Sequence, residues 1–490
     1  MSVADVDLEA LPQPGLLIGG ETRTSGTDDM YPHMYAATGK LTHEIPLAGP
    51  AEIDDAVSAA RAALPGWKAL APNQRRRLML EYAAEVRRQR ESLKRLVTAE
   101  NGTPFGFTDS YPEWVAELFE YNAGFTDKIG GQVITTWGGP GPAFDYTLDE
   151  PYGVIAVIVP WNGPFVSFGQ TLGPAVAAGN TIVLKPPELA PYSCLRLGQI
   201  ASEVGFPPGV INVVPGGPVG GDALVSHPGI DKICFTGSGG TAKKIQAAAA
   251  ARLTPACFEL GGKSARLVFA DADLDSAAMN SVSAAIGLSG QACIAGTRVL
   301  VEDSVYDDVV GRMKAIAESI PVGDPRDPST IMGPVISQGA VDRIMGFIDR
   351  ACATTSGRLV TGGKRLTGDF ADGYFIAPTI FADVSNEEEV TRQEIFGPVV
   401  SVLRFSDEDE AVRIANDSDY GLSAWVETTN LARAHRVSAA LEAGTIWING
   451  FVDLPVGAPF GGVKQSGNGR VGGIYGIQEF TRPKNVWMQL

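Results

Sequence analysis

Histidine and cysteine are scarce in this chain, with four and five copies in 490 residues. The histidines (His33, His43, His227 and His435) do not cluster. The cysteines (Cys194, Cys234, Cys257, Cys293 and Cys352) are odd in number and widely spaced. Such spacing fits neither a disulfide framework nor a zinc site, whose ligands come in close pairs. No metal is expected, and a reducing cytoplasm is the expected compartment. No apolar run approaches the ~18–20 residues of a membrane span. The N-terminal MSVADVDLEALPQPG lacks the basic and apolar stretches of a secretory signal. Positive charge is also in deficit: 39 Lys and Arg against 56 Asp and Glu, a net charge of -17. That argues against nucleic acid and anionic membrane as partners, since both are polyanions. Repeats of solenoid period and low-complexity tracts are absent.

What is present is an ordinary globular composition over a length that predicts two or three domains. Residues 1–20 read as a poorly ordered lead-in. Ile53, Val57, Ala60 and Leu64 recur with helical period, so a helix is predicted from about Glu52. A second is predicted from about Pro72 through RRRLMLEYAAEVRRQRESLKRLV, with its cations on a solvated face. Short apolar runs follow at 154–160, 181–186, 210–215, 232–237 and 256–262, separated by helix-length segments. Near-continuous apolar strands alternating with helices predict a parallel sheet covered on both faces. The fold class is therefore α/β, with a Rossmann-like domain over 21–129 and 151–258. A second α/β domain is expected over 259–470. Residues 130–150 read as a Gly/Pro-turned hairpin, and 471–490 as strand-like. Together they suggest a small β unit at a subunit interface, in a homodimer or homotetramer.

Three residues stand out chemically. Cys293 lies among small residues in GQACIAGTR, so a substrate can approach its sulfur. A free cysteine is more usually a buried core residue, and a nucleophile also needs a base and an oxyanion partner. Glu259, in FELGGKSA, is an acid at the end of an apolar strand. Desolvation there raises a carboxyl toward the range of a general base; a salt-bridged structural role fits as well. Asn162, in VPWNGPF, sits at the carboxyl end of the first central strand, where open α/β sheets bind ligands. Its amide suits an oxyanion, and a turn asparagine suits the same context.

The motifs PWN, KPPE, FTGS, ELGGKS, GQACIAGTR, EIFGPV and PFGGVKQSGNGR occur in this order over residues 160–470. Together they resemble the aldehyde dehydrogenase superfamily across nearly the whole chain. The resemblance implies oxidation of a small-molecule aldehyde to the acid, with Cys293 as nucleophile, Glu259 as general base and Asn162 as oxyanion stabiliser. It also implies an NAD(P)-binding site, although no G-x-G-x-x-G fingerprint is present. FTGS, with Phe235, Gly237 and Ser238, ends a strand and opens a helix whose N–H groups can face the pyrophosphate. Ala242 stands where the family has glycine. Lys185 and Glu188 resemble the pair on the adenosine ribose, and a carboxylate there favours NAD⁺ over NADP⁺. Trp161, Gly217 and Leu260 resemble further dinucleotide contacts, and Glu394 and Phe396 those of the nicotinamide ribose.

Two departures from the resemblance bear on function. Gly163 replaces a bulky aromatic after the asparagine, with Ser167 and Gln170 further along the same wall, so a wide entrance is expected. Thr171 and Val471 stand where many relatives carry a lysine and a glutamate that relay the proton from the base. Two rival readings are a CoA-acylating aldehyde dehydrogenase and a non-catalytic structural protein on this fold. The glutamate of ELGGKS opposes the first, and the intact Cys293, Glu259 and Asn162 set opposes the second.

Overall fold

The computed structural model describes residues 8–137, 141–354, 356–450 and 452–490. Residues 1–7 of the expected lead-in and the hairpin tip, 138–140, lie outside the described residues. Five strands form the parallel centre of the first sheet, in the spatial order Ile211–Val213, Thr181–Lys185, Val154–Ile158, Lys232–Gly237, Ala256–Leu260. Val154–Ile158 and Thr181–Lys185 are buried at every position. That is why they read as continuous apolar runs: helices cover both faces. The order reverses beside Val154–Ile158, which is the doubly wound pattern.

The edges of this sheet differ from expectation. Leu16–Ile18 is not a loose lead-in; it is a fully buried strand, antiparallel to Ile211–Val213. Its three apolar residues were too short a run to signal a strand. At the other edge Gly467–Asn468 pairs antiparallel with Ala256–Leu260, so the segment expected in the second domain returns to the first. The helix predicted from Pro72 is two helices, Pro72–Arg88 and Arg90–Asn101, broken at Gln89 with ψ 11°. Nor are all its cations solvated. Arg75 is buried and donates to the carbonyls of Ala177 (2.9 Å) and Trp67 (3.1 Å), hydrogen bonds that offset its desolvation.

The second sheet has seven strands, ordered Arg358–Thr361, Thr379–Ala382, Val399–Phe405, Arg298–Glu302, Ala265–Val268, Ser423–Glu427, Thr445–Ile448. All neighbours are parallel except the first pair. A third, outlying sheet is antiparallel: Val133–Ile134, Ala143–Pro151 and Thr481–Gln489. The expected hairpin and the C-terminal strand thus pair across the length of the chain. The C-terminal stretch is not strand throughout, because Gly473–Glu479 is a helix.

Candidate active site

Strands Val154–Ile158 and Lys232–Gly237 are neighbours at the switch point, so both deliver their following residues to one crevice. Trp161 and Asn162 follow the first strand; Ser238 follows the second. Ser238 caps helix Gly239–Ala250, its Oγ accepting the Thr241 N–H at 3.4 Å. A cavity of about 850 Å³ runs along the crevice. All thirteen residues singled out from the sequence line it: Cys293, Glu259, Asn162, Trp161, Lys185, Glu188, Gly217, Phe235, Gly237, Ser238, Leu260, Glu394 and Phe396. So do Gly163, Ser167, Gln170, Thr171 and Val471. Residues more than 300 positions apart are brought together here.

Glycines allow the close approach. An added Cβ at Gly261 would lie 2.0 Å from Glu394 Oε2, and one at Gly290 would lie 2.0 Å from the Gly397 carbonyl oxygen. The GG of ELGGKS therefore lets EIFGPV close over it, with Glu394 Oε1 accepting the Gly262 N–H at 3.0 Å. Gly290 has φ +72°, following Leu288 (+53°) and Ser289 (+56°). Three left-handed residues in a row are uncommon. Here they turn the chain sharply just before Cys293. Asn162 Nδ2 donates to the Gln291 carbonyl at 2.8 Å, which ties the asparagine to the cysteine loop.

Glu259 is buried, and neither carboxyl oxygen has a hydrogen-bond partner among the described residues. Its pKa is raised well above the usual carboxylate range, first by burial and then by Cys257; Arg470 opposes and Glu479 adds to the rise. Burial, with the carboxylates of Glu394 and Glu259, pushes the Cys293 thiol up to about 12. A cation brought beside the sulfur would reverse part of that rise. Lys185 is buried, and desolvation lowers it to about 8 against the pull of Glu188. Its Nζ donates to the Gly216 carbonyl. Trp161 meets Phe396 edge-on, ring centroids 5.4 Å apart.

The aldehyde dehydrogenase family profile matches residues 23–486. The chain belongs to the aldehyde dehydrogenase family. It is 40% identical to human retinal dehydrogenase 2 over 503 residues, covering 100% of this chain and 95% of that protein. An aldehyde dehydrogenase of Emericella nidulans is 43% identical, covering 90% of this chain and 88% of that one. Among solved structures, PnpE from Pseudomonas sp. WBC-3 matches with TM-score 0.94 at 40% identity, over 98% of both chains. The indole-3-acetaldehyde dehydrogenase of P. syringae matches with TM-score 0.95 at 35% identity, over 100% of both chains. As a member of this family, the protein is an oxidoreductase acting on aldehydes.

Several lining residues of this aldehyde dehydrogenase escaped sequence reasoning. Tyr111 and Trp114 line the cavity from helix Tyr111–Ala123, and Leu454 and Phe460 from the C-terminal loops. Their spacing in sequence carries no signal, since an aromatic pair at i and i+3 reads equally as core. Arg343 donates to the carbonyls of Ile395 and Phe396, bracing the loop that bears Glu394. Thr171 lines the cavity, but its hydroxyl donates to the Ser167 carbonyl at 2.6 Å, a bond internal to its own helix.

Proposed function

We propose that this enzyme oxidises an aldehyde to the carboxylic acid with NAD⁺, through a thiohemiacetal and then a thioester on Cys293. The observation that carries the reading is that Cys293, Glu259 and Asn162 share one cavity with the groove lined by Lys185, Glu188, Ser238 and Glu394. That groove fits a dinucleotide. It offers a helix N-terminus for the pyrophosphate, a Lys–Glu pair for one ribose, and Glu394 with Phe396 for the other. Bound there, NAD⁺ supplies the hydride acceptor and a positive ring.

The protein's own share follows from its residues. Cys293 releases its thiol proton to solvent and, as the thiolate, attacks the carbonyl carbon. The Asn162 amide, already aimed at the Cys293 loop, and the Cys293 N–H hold the alkoxide. With the hydride gone, the carbon remains on sulfur as a thioester. Glu259 takes a proton from water, the hydroxide displaces the sulfur, and the acid leaves. Glu259 separates this route from acyl transfer to CoA, which needs no such base. NADH formed from aldehyde and NAD⁺ without CoA, and its loss in Cys293→Ala with NAD⁺ binding retained, is the expected result. Turnover that requires CoA, or survives in that variant, overturns the reading.

The domain assignment goes with it: a cofactor domain from 21–129 and 151–258 and a catalytic domain over 259–470. The outlying sheet is read as the contact of a homodimer or homotetramer. Val133, Trp137, Phe144, Trp487 and Met488 are exposed apolar residues on or beside it, an apolar patch of the kind that marks an interface. Sedimentation of the protein checks this. A cytoplasmic location fits the scarce, unpaired cysteines.

A further inference from the structure

Helices Tyr111–Ala123 and Pro164–Ala177 lie side by side, an added Cβ at Gly169 meeting Val115 and Leu118 and one at Gly173 meeting Asn122. That contact sets Tyr111 and Trp114 beside the first turns of the second helix. Gly163, Ser167 and Gln170 fall on one face of that helix, at positions i, i+4 and i+7. All five residues line the cavity that also holds Cys293.

Three features of this wall bear on what it holds. It is broad: an added Cβ at Gly163 meets nothing within 4 Å. Its elements carry no formal charge into the cavity among the described residues. Apart from Glu259, the charged lining residues Lys185, Glu188, Asp222, Lys244, Arg343 and Glu394 stand on or brace the elements read as the dinucleotide groove. Trp114, Val166, Leu288, Ile294, Leu454 and Phe460 line the same cavity with the polar groups named next. It carries unused hydrogen-bonding groups. The Tyr111 hydroxyl, Ser167 Oγ and the Gln170 amide bond to no described residue, and burial keeps the Tyr111 hydroxyl neutral by raising its pKa. Seven residues at 1.5 Å each put Gln170 roughly 10 Å along the helix from Gly163, the neighbour of Asn162.

We propose that the preferred substrate is an uncharged aldehyde on a broad ring system, with a hydroxyl or carbonyl group at the end remote from the aldehyde, read by Gln170 with Tyr111 and Ser167. The inference rests on Cys293 as the nucleophile. A charged tail would give up its hydration and find no counter-charge on this wall. A purely hydrocarbon tail would leave the Gln170 amide and Tyr111 hydroxyl facing it unpaired. A site built to bond a polar group discriminates strongly against the analogue that lacks it. The names of two relatives, for retinal and for indole-3-acetaldehyde, agree on bulk and say nothing of the polar end.

The test compares kcat/KM for three probes on wild type: naphthaldehyde, the same compound with a hydroxyl on the far ring, and the same with a carboxylate there. The hydroxylated probe should exceed the unsubstituted one by about tenfold or more, the worth of one hydrogen bond to a buried polar group. The carboxylated probe should fall below both. In Gln170→Leu the ratio of hydroxylated to unsubstituted probe should collapse toward unity. In Gly163→Phe all three should fall relative to acetaldehyde. Equal use of the first two by wild type, preference for the carboxylate, or refusal of all three while acetaldehyde is oxidised overturns the inference and leaves the oxidation reading standing. Failure of every aldehyde, acetaldehyde included, overturns the oxidation reading itself. NAD⁺ binding by each variant, followed by tryptophan fluorescence, identifies one that has not folded, and the wild-type comparison stands without them.

Discussion

Asn162 donates its side-chain amide to the carbonyl oxygen of Gln291, 2.8 Å away and 129 residues along the chain. Gln291 is itself held, its Oε1 accepting the Ile336 N–H at 2.9 Å. The asparagine is thus aimed at the Cys293 loop before any substrate arrives, and a preorganised donor costs no reorganisation during reaction. Asn162→Ala should slow single-turnover NADH formation at saturating aldehyde by about 10²–10³-fold with NAD⁺ affinity nearly unchanged. An unchanged single-turnover rate with only a raised KM would assign Asn162 to binding alone.

Glu259 sits in burial that raises its pKa well above the carboxylate range. The basic form therefore grows as pH rises, and hydrolysis should speed up with it. Neither residue at the expected relay positions helps: the Thr171 hydroxyl is committed to Ser167, and Val471 carries no proton. Hydrolysis is then expected to be the slow step, with a burst near one NADH per site in wild type. Glu259→Gln should keep much of the burst, lose about 10²–10⁴-fold of steady turnover and flatten its pH dependence. Acyl-enzyme should be visible by intact mass. No burst in wild type and no thioester in the variant would remove Glu259 as the base.

Lys185 Nζ donates to the Gly216 carbonyl and, at 3.5 Å, to that of Pro186, which leaves one of its three donors for a ribose hydroxyl. Glu188 is the charge a 2′-phosphate would meet. We expect kcat/KM for NAD⁺ to exceed that for NADP⁺ by roughly tenfold to a hundredfold, ~1.4–3 kcal/mol. Glu188→Gln should narrow the gap, and equal use of both cofactors by wild type would refute the assignment.

Glu100 is a buried carboxyl away from the cavity. Its Oε1 accepts the Ser193 N–H at 3.0 Å while Oε2 has no partner among the described residues. Burial raises its pKa to about 7. Below the unfolded value of ~4.3 both states hold the proton and nothing is lost. Between that value and about 7 the unfolded chain releases the proton while the folded chain keeps it, so stability falls as pH rises. Linkage puts the full loss on the order of 3–4 kcal/mol above that range. Glu100→Gln should match wild type in Tm near about pH 4 and exceed it near about pH 8. A constant difference across pH would mean that Glu100 titrates normally.

Much of this was legible in the sequence because it is local. The parallel strands announce themselves: Val154–Ile158 and Thr181–Lys185 are buried on both faces and must be apolar throughout. Cys293, Glu259, Asn162, Glu394 and the KPPE pair lie in short motifs whose order alone identifies the family. The sequence by itself thus determined the fold class and the family, and it singled out the candidate reacting groups. Other features depend on distant pairings that leave no local trace. Leu16–Ile18 becomes a strand only because Ile211–Val213 offers an edge, and Gly467–Asn468 returns to the first sheet only by pairing with Ala256–Leu260. The same holds for chemistry. Whether Tyr111 faces a cavity or a core, whether the Thr171 hydroxyl is free, and whether Glu259 is solvated or dry are each set by what packs alongside from elsewhere in the chain. Side-chain burial and hydrogen bonding are tertiary properties, and they alone decided which polar groups remain unpaired to meet a substrate.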